Sequence, residues 1–184
     1  MEENFLHGRV RVLMGDITRV GADAIVNAAN STLLGGGGVD GAIHRVGGTQ
    51  ILEECREILR TRLPDGLPTG EAVITKGGLL PARFVIHTVG PIYGRHDGRE
   101  AELLARSYQN SLKLASEHGL TSIVFPSIST GAFGYPRAEA ARVASGAVMD
   151  FLDAETSIHQ VSLIFFLPGD LETFLKNQRF DEGR

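Results

Sequence analysis

Four consecutive glycines, residues 35–38, separate two groups of polar side chains that could do chemistry. Asn27 and Asn30 precede the glycines, and Asp40 and His44 follow them. Glycine lets backbone N–H groups approach a ligand closely, and a helix that begins at such a loop offers unpaired N–H groups and a favourable dipole to phosphate. The run therefore predicts an anion site, with a flexible linker as the alternative.

Asp40 and His44 are four residues apart in the helix that the glycines would begin, so they share one face of that helix. The helix dipole stabilises a carboxylate in the first turn, which suits Asp40 to orient or deprotonate a water molecule. His44 is either a proton carrier or a structural histidine. Asn27 and Asn30 could hold ribose hydroxyl groups, although asparagines also populate turns for their own backbone reasons.

A second polar loop, residues 127–134, offers hydroxyl groups, free N–H groups and Phe133. It is suited to form a second wall for a diphosphate, with Phe133 available to cover a sugar. It lacks the Gly-Lys-Ser/Thr ending of an ATP-type phosphate loop, and neither loop has the dinucleotide-binding fingerprint. Asp16 follows the first predicted strand, where it could accept a hydrogen bond from an amine such as that of adenine, or form an Asx turn.

Two further reactive residue types are assigned to the core. His87 lies within an apolar strand pattern at residues 85–89, and Cys55 lies on the apolar face of a helical pattern. Cys55 is the single cysteine, so it forms no internal disulfide, and it lacks the context of a nucleophile. No set of Cys, His, Asp and Glu residues has the spacing of metal ligands, so no metal is expected.

Strand-like and helix-like patterns alternate along the chain, which predicts an α/β domain with a largely parallel sheet. The predicted strands are residues 10–14, 24–27, 71–75, 84–89, 122–125 and 161–166. The predicted helices are residues 39–46, 49–60 with Thr49 as N-cap, 100–118, 137–151 behind Pro136, and 171–179. Ligands bind beyond the carboxyl ends of parallel strands. Both polar loops follow strands, so we expect them to meet at that edge.

The composition is that of one ordinary globular domain spanning residues 1–184, with 42% hydrophobic and 22% charged residues. A net charge of −4 argues against general nucleic-acid binding through a basic surface. No stretch reaches the roughly 20 apolar residues that span a bilayer, and the N-terminus lacks the apolar core of a signal peptide. We expect a cytoplasmic monomer without membrane contact.

Taken together, these segments resemble a macrodomain of the MacroD type. The matching pieces occur in the family's order and cover nearly the whole chain: residues 15–18, 23–30, 33–44, 69–76, 85–91 and 129–136. The resemblance implies a three-layer α/β/α sandwich around a mixed, largely parallel central sheet, with an ADP-ribose cleft at its edge.

The resemblance also implies roles for individual residues. Asp16 would bind the adenine amine, Ile17 would contact adenine through backbone and side chain, and Phe166 would stack on it. The diphosphate would lie between two sets of residues, namely Gly37, Gly38 and Val39 on one side, and Ser129, Thr130, Gly131, Ala132, Phe133 and Gly134 on the other. Asn30 and Asp40 would face the distal ribose beneath Phe133. Asn27 is a further expected ligand contact, and His44 a supporting residue.

The activity that the resemblance implies is hydrolysis of an ester at the distal ribose, without a cofactor. The substrates would be proteins carrying ADP-ribose on Asp or Glu side chains, and O-acetyl-ADP-ribose. Asn30 would hold a water near Asp40, which would act as general base or orienting anion, with a substrate phosphate as the alternative activator. The site of attack, C1″ or the acyl carbon, stays open. A non-catalytic ADP-ribose reader and an ADP-ribose 1″-phosphatase are the competing interpretations.

Overall fold

The computed structural model describes residues 2–154 and 157–181. Within these residues, seven strands form one sheet: β1 (Glu2–Phe5), β2 (Val10–Met14), β3 (Ala24–Ala28), β4 (Ala72–Lys76), β5 (Phe84–Thr88), β6 (Ser122–Phe125) and β7 (Gln160–Phe165). Five α-helices accompany them: α1 (Gly38–Gly47), α2 (Thr49–Thr61), α3 (Glu100–Glu117), α4 (Arg137–Ala154) and α5 (Pro168–Asn177). No helix in this part of the chain is long and apolar enough to cross a membrane.

The order of the strands brings most of their carboxyl ends to one edge of the sheet. The order is β1-β2-β7-β6-β3-β5-β4, and the five inner strands from β2 to β5 are mutually parallel. The outer strands β1 and β4 are antiparallel to their neighbours. The predicted mixed, largely parallel sheet is confirmed, and the loops that follow the five inner strands all leave the sheet on the same side.

Each face of the sheet packs on a separate hydrophobic core. Side chains alternate along a strand, so Ala24 and Val26 of β3 enter one core and Ile25 enters the other. The first core contains residues of α3, α4 and α5, and the second contains residues of α1 and α2. This arrangement is the three-layer α/β/α sandwich that the sequence predicts.

Most predicted elements differ from the observed ones by one to three residues at an end, and three differences have a clear physical cause. β1 was not predicted, because Glu2 and Glu3 are charged, Asn4 is exposed as they are, and the segment becomes a strand only by pairing with β2. Thr49 as N-cap is wrong: Thr49 is the first helical residue, and Gly48, with φ 79°, takes the N-cap position without a side-chain hydrogen bond. The last helix begins at Pro168, three residues early, since proline suits the first turn of a helix.

Asp23, directly before β3, ties the starts of neighbouring strands together. Its Oδ2 accepts the N–H groups of Thr121 at 2.9 Å and Ser122 at 3.2 Å, and the Arg83 guanidinium lies 3.0 Å from its Oδ1. The hydrogen bond from the Thr121 backbone is the main cause that lowers the pKa of Asp23 to about 2, and the Arg83 contact adds to it. Asp23 is therefore an anion that the folded state stabilises.

We predict that Asp23→Asn lowers the free energy of unfolding by about 1 to 2 kcal/mol at pH 7. Because the folded state lowers the pKa of Asp23, the carboxylate stabilises fully above its ordinary pKa of 3.8 and loses this effect as the pH falls through about 2. Urea unfolding from pH 7 to pH 2.5 should therefore show that the difference in free energy of unfolding between wild type and variant becomes smaller below about pH 4. Asp65→Asn, at an exposed loop position, is the control, and its free energy of unfolding should match that of wild type. A difference for Asp23→Asn that stays the same at every pH would contradict the prediction.

Candidate functional site

The order of the strands brings four groups of predicted site residues to one edge of the sheet. Asp16 follows β2, Phe166 follows β7, residues 127–134 follow β6, and Asn30 with the glycine run follows β3. Because these strands are neighbours in the order β2-β7-β6-β3, the four groups line up along one edge of the sheet. The two polar loops therefore follow adjacent parallel strands and leave the sheet at the same edge, as expected.

The glycine run leads straight into α1 and is not a linker. Gly37 is the N-cap, and no side chain caps the first turn. Gly35 and Gly38 have φ values of 91° and 58°, a left-handed conformation that glycine adopts without steric cost. Gly37 and Gly38 are exposed, and Val39 is half-buried against the core beneath α1. The loop thus presents a helix N-terminus that can hold an anion.

The carboxylate of Asp40 is buried in the first turn of α1 with 5% of the residue exposed. Its Oδ1 accepts a hydrogen bond of 2.7 Å from the Asn27 amide. His44 Nε2 lies 3.4 Å from the same oxygen, without hydrogen-bond geometry. The other oxygen, Oδ2, approaches Gly36, where an added Cβ would lie 3.1 Å from it. Asp40 Oδ1 is thus held by a hydrogen bond from the core side, and Oδ2 faces the glycine loop.

Asn30, which follows β3, also lies close to Gly36. A Cβ added at Gly36 would lie 3.3 Å from Asn30 Nδ2, beside the Asp40 oxygen. Asn30 Nδ2 donates to the carbonyl of Gly35 at 3.1 Å, and its Oδ1 accepts from the backbone N–H of Thr32 at 3.2 Å. The side chain therefore shapes the turn that enters the glycine run. The structure brings the predicted pair, Asn30 and Asp40, together around Gly36.

Asn27 lies beneath the cleft and not on its wall. The residue is 0% exposed, and its Nδ2 contacts Asp40 Oδ1 and, at 3.1 Å, His87 Nδ1. This burial contradicts the prediction of a direct ligand contact, because Asn27 precedes the end of β3 by one residue and points into the core. The Thr75 hydroxyl lies 2.9 Å from His87 Nε2. Sequence reasoning missed Thr75, whose signal is a hydroxyl group that directly follows the three apolar residues 72–74 of β4.

The core assignments of His87 and Cys55 are confirmed. Burial, with a smaller contribution from the charge of His44, lowers the pKa of His87 to about 3, so this imidazole is neutral. Burial also raises the pKa of Cys55 to about 12, which keeps it a thiol at neutral pH. In residues 2–154 and 157–181, no three His, Cys, Asp or Glu side chains are placed to hold a metal ion.

The loop after β6 contains a strained residue at its centre. Ser129 has a φ of 66°, which is unfavourable for a residue with a Cβ, and it is 7% exposed. Its Oγ has no hydrogen-bond partner in the described part of the chain and lies against Gly90. Thr130 and Phe133 are half-buried, and the small residues of the loop are exposed: Gly131, Ala132 and Gly134. Such strain in a surface loop is typical of a ligand-binding segment.

The other end of the cleft carries Asp16 and Phe166. Asp16 Oδ1 accepts from the N–H of Thr18 at 2.9 Å and from its hydroxyl at 2.7 Å, which lowers the pKa of the carboxyl group. This is the Asx turn, and it leaves Oδ2 facing Arg19 at 3.6 Å. Ile17 is buried among core residues, so its side chain offers little surface to a ligand. Phe166 is 76% exposed and available for stacking.

The close approach of Gly90 to the Ser129 loop leads to a stability prediction. A Cβ at Gly90 would lie 2.2 Å from Ser129 Oγ and 2.5 Å from Ile128 Cγ2, so Gly90→Ala must displace the loop. We expect the free energy of unfolding to fall by about 1 to 3 kcal/mol, as for other overpacked sites. Gly21→Ala, where an added Cβ meets nothing within 4 Å, is the control. Equal stability of the two variants in urea would contradict this packing.

Comparisons with known proteins agree with this fold and cleft. The profile of the Macro domain family matches residues 26–144. An O-acetyl-ADP-ribose deacetylase from Escherichia fergusonii is 50% identical over 161 residues, which cover 88% of this chain and 90% of that protein. An Oceanobacillus iheyensis macrodomain solved with ADP superposes with a TM-score of 0.91 at 44% identity, over 96% of this chain and 93% of that chain. A Trypanosoma brucei macrodomain solved with ADP-ribose has a TM-score of 0.83 at 41% identity, over 92% and 68%. This chain therefore belongs to the Macro domain family.

Proposed function

We propose that this chain binds ADP-ribose along the carboxyl ends of its parallel strands. The macrodomains solved with ADP and with ADP-ribose support this ligand. Asp16 and Phe166 would hold the adenine end, and the N–H groups of residues 35–38 and 127–134 would hold the diphosphate. Peptide N–H groups at a helix N-terminus let a protein with a net charge of −4 bind a dianion without lysines.

The reaction that we propose is hydrolysis of an ester at the distal ribose. The observation that carries it is the Asp40 carboxylate, whose Oδ1 is occupied by Asn27 while Oδ2 lies beside Gly36 and the Asn30 amide. A water held between Asn30 and Oδ2 would lie next to the distal ribose of the bound ligand. The relative named O-acetyl-ADP-ribose deacetylase supports an ester as the bond that is cleaved.

In this proposal, Asp40 accepts a proton from the water or orients it as an anion, and Asn30 positions the ribose. The ester C–O bond breaks, water supplies a hydroxyl group to one fragment and a proton to the other, and the products are ADP-ribose and a free acid. The proposed substrates are O-acetyl-ADP-ribose and proteins that carry ADP-ribose on Asp or Glu. Hydrolysis in H₂¹⁸O separates the sites of attack: label in the acid indicates the acyl carbon, and label in ADP-ribose indicates C1″.

Asp40→Ala is expected to lower turnover of O-acetyl-ADP-ribose by about 10² to 10⁴-fold, the range of a general base. ADP-ribose affinity should change far less, because the adenine and diphosphate contacts lie on other residues. Turnover is measured by product chromatography and affinity by calorimetry. Asp150→Ala, at an exposed position on α4, is the control that should leave both unchanged.

Three other results would redirect the proposal. If wild type binds ADP-ribose tightly and releases no acid from either ester, the chain is a reader. Release of inorganic phosphate from ADP-ribose 1″-phosphate, with esters left intact, would make it a phosphatase. No step is assigned to a metal ion, so turnover that is lost in EDTA and restored by a divalent cation would contradict the mechanism.

Phe166→Ala should weaken ADP-ribose binding by about tenfold, since stacking of a base on an aromatic side chain contributes about 1 to 3 kcal/mol. The matched control is Leu79→Ala, which truncates an 82% exposed apolar side chain in the turn before β5, at the opposite end of the sheet. Calorimetric titration with ADP-ribose distinguishes the two variants. Equal affinities would exclude Phe166 from the adenine end of the cleft.

We also propose a monomer located in the cytoplasm, with ADP-ribosylated proteins as its partners. Sedimentation velocity over a range of concentrations tests the first statement, and cell fractionation tests the second. Pull-down from lysates with and without a competing excess of free ADP-ribose tests the third.

A further inference from the structure

A row of buried polar side chains lies behind Asp40, on three adjacent strands. Asn27 is on β3, His87 on β5 and Thr75 on β4, and all three are buried in the layer that packs against α1 and α2. Polar groups in an apolar core cost free energy unless they are hydrogen-bonded, and a connected row of them fixes a unique arrangement. The row ends at the carboxylate to which the proposed reaction is assigned.

The direction of each hydrogen bond in this row follows from the carboxylate. Asp40 as an anion can only accept, so the nitrogen of the Asn27 amide must face it, at 2.7 Å from Oδ1. The second hydrogen of this nitrogen is directed to His87 Nδ1 at 3.1 Å, which must therefore be the unprotonated ring nitrogen. The proton of the neutral ring is then on Nε2, which donates to the Thr75 hydroxyl at 2.9 Å.

The opposite orientation of Asn27 would place its amide oxygen against the carboxylate. In the present orientation, Asn27 Oδ1 has no hydrogen-bond partner among the described residues. The orientation of the amide group is therefore determined by the contacts of its nitrogen. A protonated His87 would set an N–H group against the Asn27 N–H. Burial disfavours that charged form and lowers the pKa of His87 to about 3, in agreement with the geometry.

We propose that His87 is a positioning residue for Asp40: as the neutral Nε2–H tautomer, anchored by Thr75, it fixes Asn27 in the orientation that donates to the carboxylate. The effect of His87 on catalysis rests on the proposed hydrolysis. The arrangement of the side chains rests on the hydrogen bonds alone. His87 carries no proton during turnover. It acts by keeping the Asp40 carboxylate in place.

The other titratable groups around Asp40 are His44 on α1 and Cys55 on α2. His44 Nε2 is 3.4 Å from Asp40 Oδ1, and Cys55 Sγ is 3.8 Å from His87 Nε2. The two helices that cover this face of the sheet therefore each bring one titratable side chain to the row.

Two variants break the row at different places. His87→Phe removes the acceptor for Asn27 and keeps an aromatic ring, and Thr75→Val removes the acceptor for Nε2–H with little change of volume. We expect the kcat for O-acetyl-ADP-ribose to fall by about tenfold or more in each variant, because Asn27 is no longer fixed in the orientation that donates to the Asp40 carboxylate.

The Kd for ADP-ribose should stay within about threefold of wild type in both variants, since the row contacts no ligand. Ser111→Ala is the matched control, because it removes a buried hydroxyl group of α3, in the core on the other face of the sheet. A loss of kcat of equal size in Ser111→Ala, or an unchanged kcat in His87→Phe and Thr75→Val, would overturn the positioning role.

The tautomer of His87 can also be tested on the wild-type protein, so this test does not depend on whether a variant folds. The ¹⁵N signals of the His87 ring should show a protonated Nε2, an unprotonated Nδ1 and no titration between pH 5 and 8, whereas an Nδ1–H tautomer or a titrating ring would overturn the proposal. This measurement requires no turnover. A failure of the proposed function is seen separately, as wild type that hydrolyses neither ester.

Discussion

The hydrogen bond from the Asn27 amide to Asp40 joins the central sheet to the first turn of α1. A carboxylate with so little exposure is stable as an anion only where donors and a favourable dipole compensate for lost water, and β3 and the helix N-terminus supply both. Because Asp40 also contacts the glycine run at Gly36, this bond sets the distance between sheet and loop. The shape of the loop that leads into α1 depends on it.

The remaining cleft is built mostly from backbone. Leu33, before the glycine run, and Ser129, in the opposite loop, both have positive φ values of 55° and 66°. Such conformations cost about 1 to 3 kcal/mol each and persist where the surroundings determine them. At Leu33 the side chain is buried in the core, and at Ser129 the carbonyl accepts the N–H of Tyr135 at 2.9 Å. Packing and hydrogen bonding thus hold two strained turns at the same edge of the sheet.

The sequence was sufficient to predict the layers and not the order of the strands. A short apolar run indicates a buried strand such as β3 wherever it occurs, but that β6 lies between β7 and β3 depends on packing between distant segments. For the same reason, the pairing of Asn30 with Asp40 followed from the family pattern, whereas the burial of Asn27 did not. Side-chain direction at the end of a strand depends on the residue at which the strand leaves the sheet. The role of Thr75 required knowledge that β4 pairs with β5.

The two outer strands protect the sheet against association with other chains. β1 presents the charged residues Glu2 and Glu3, and Glu2 is paired with Arg11 of β2. At the opposite border, the Glu54 carboxylate of α2 accepts the N–H of Lys76 at the end of β4, at 2.9 Å. Charge and occupied backbone groups on edge strands are the means by which soluble proteins avoid strand addition and aggregation. The loops at the site follow inner strands, so sequence changes in them leave the two outer strands unaltered. Such changes can therefore alter ligand selectivity without making the sheet prone to strand addition.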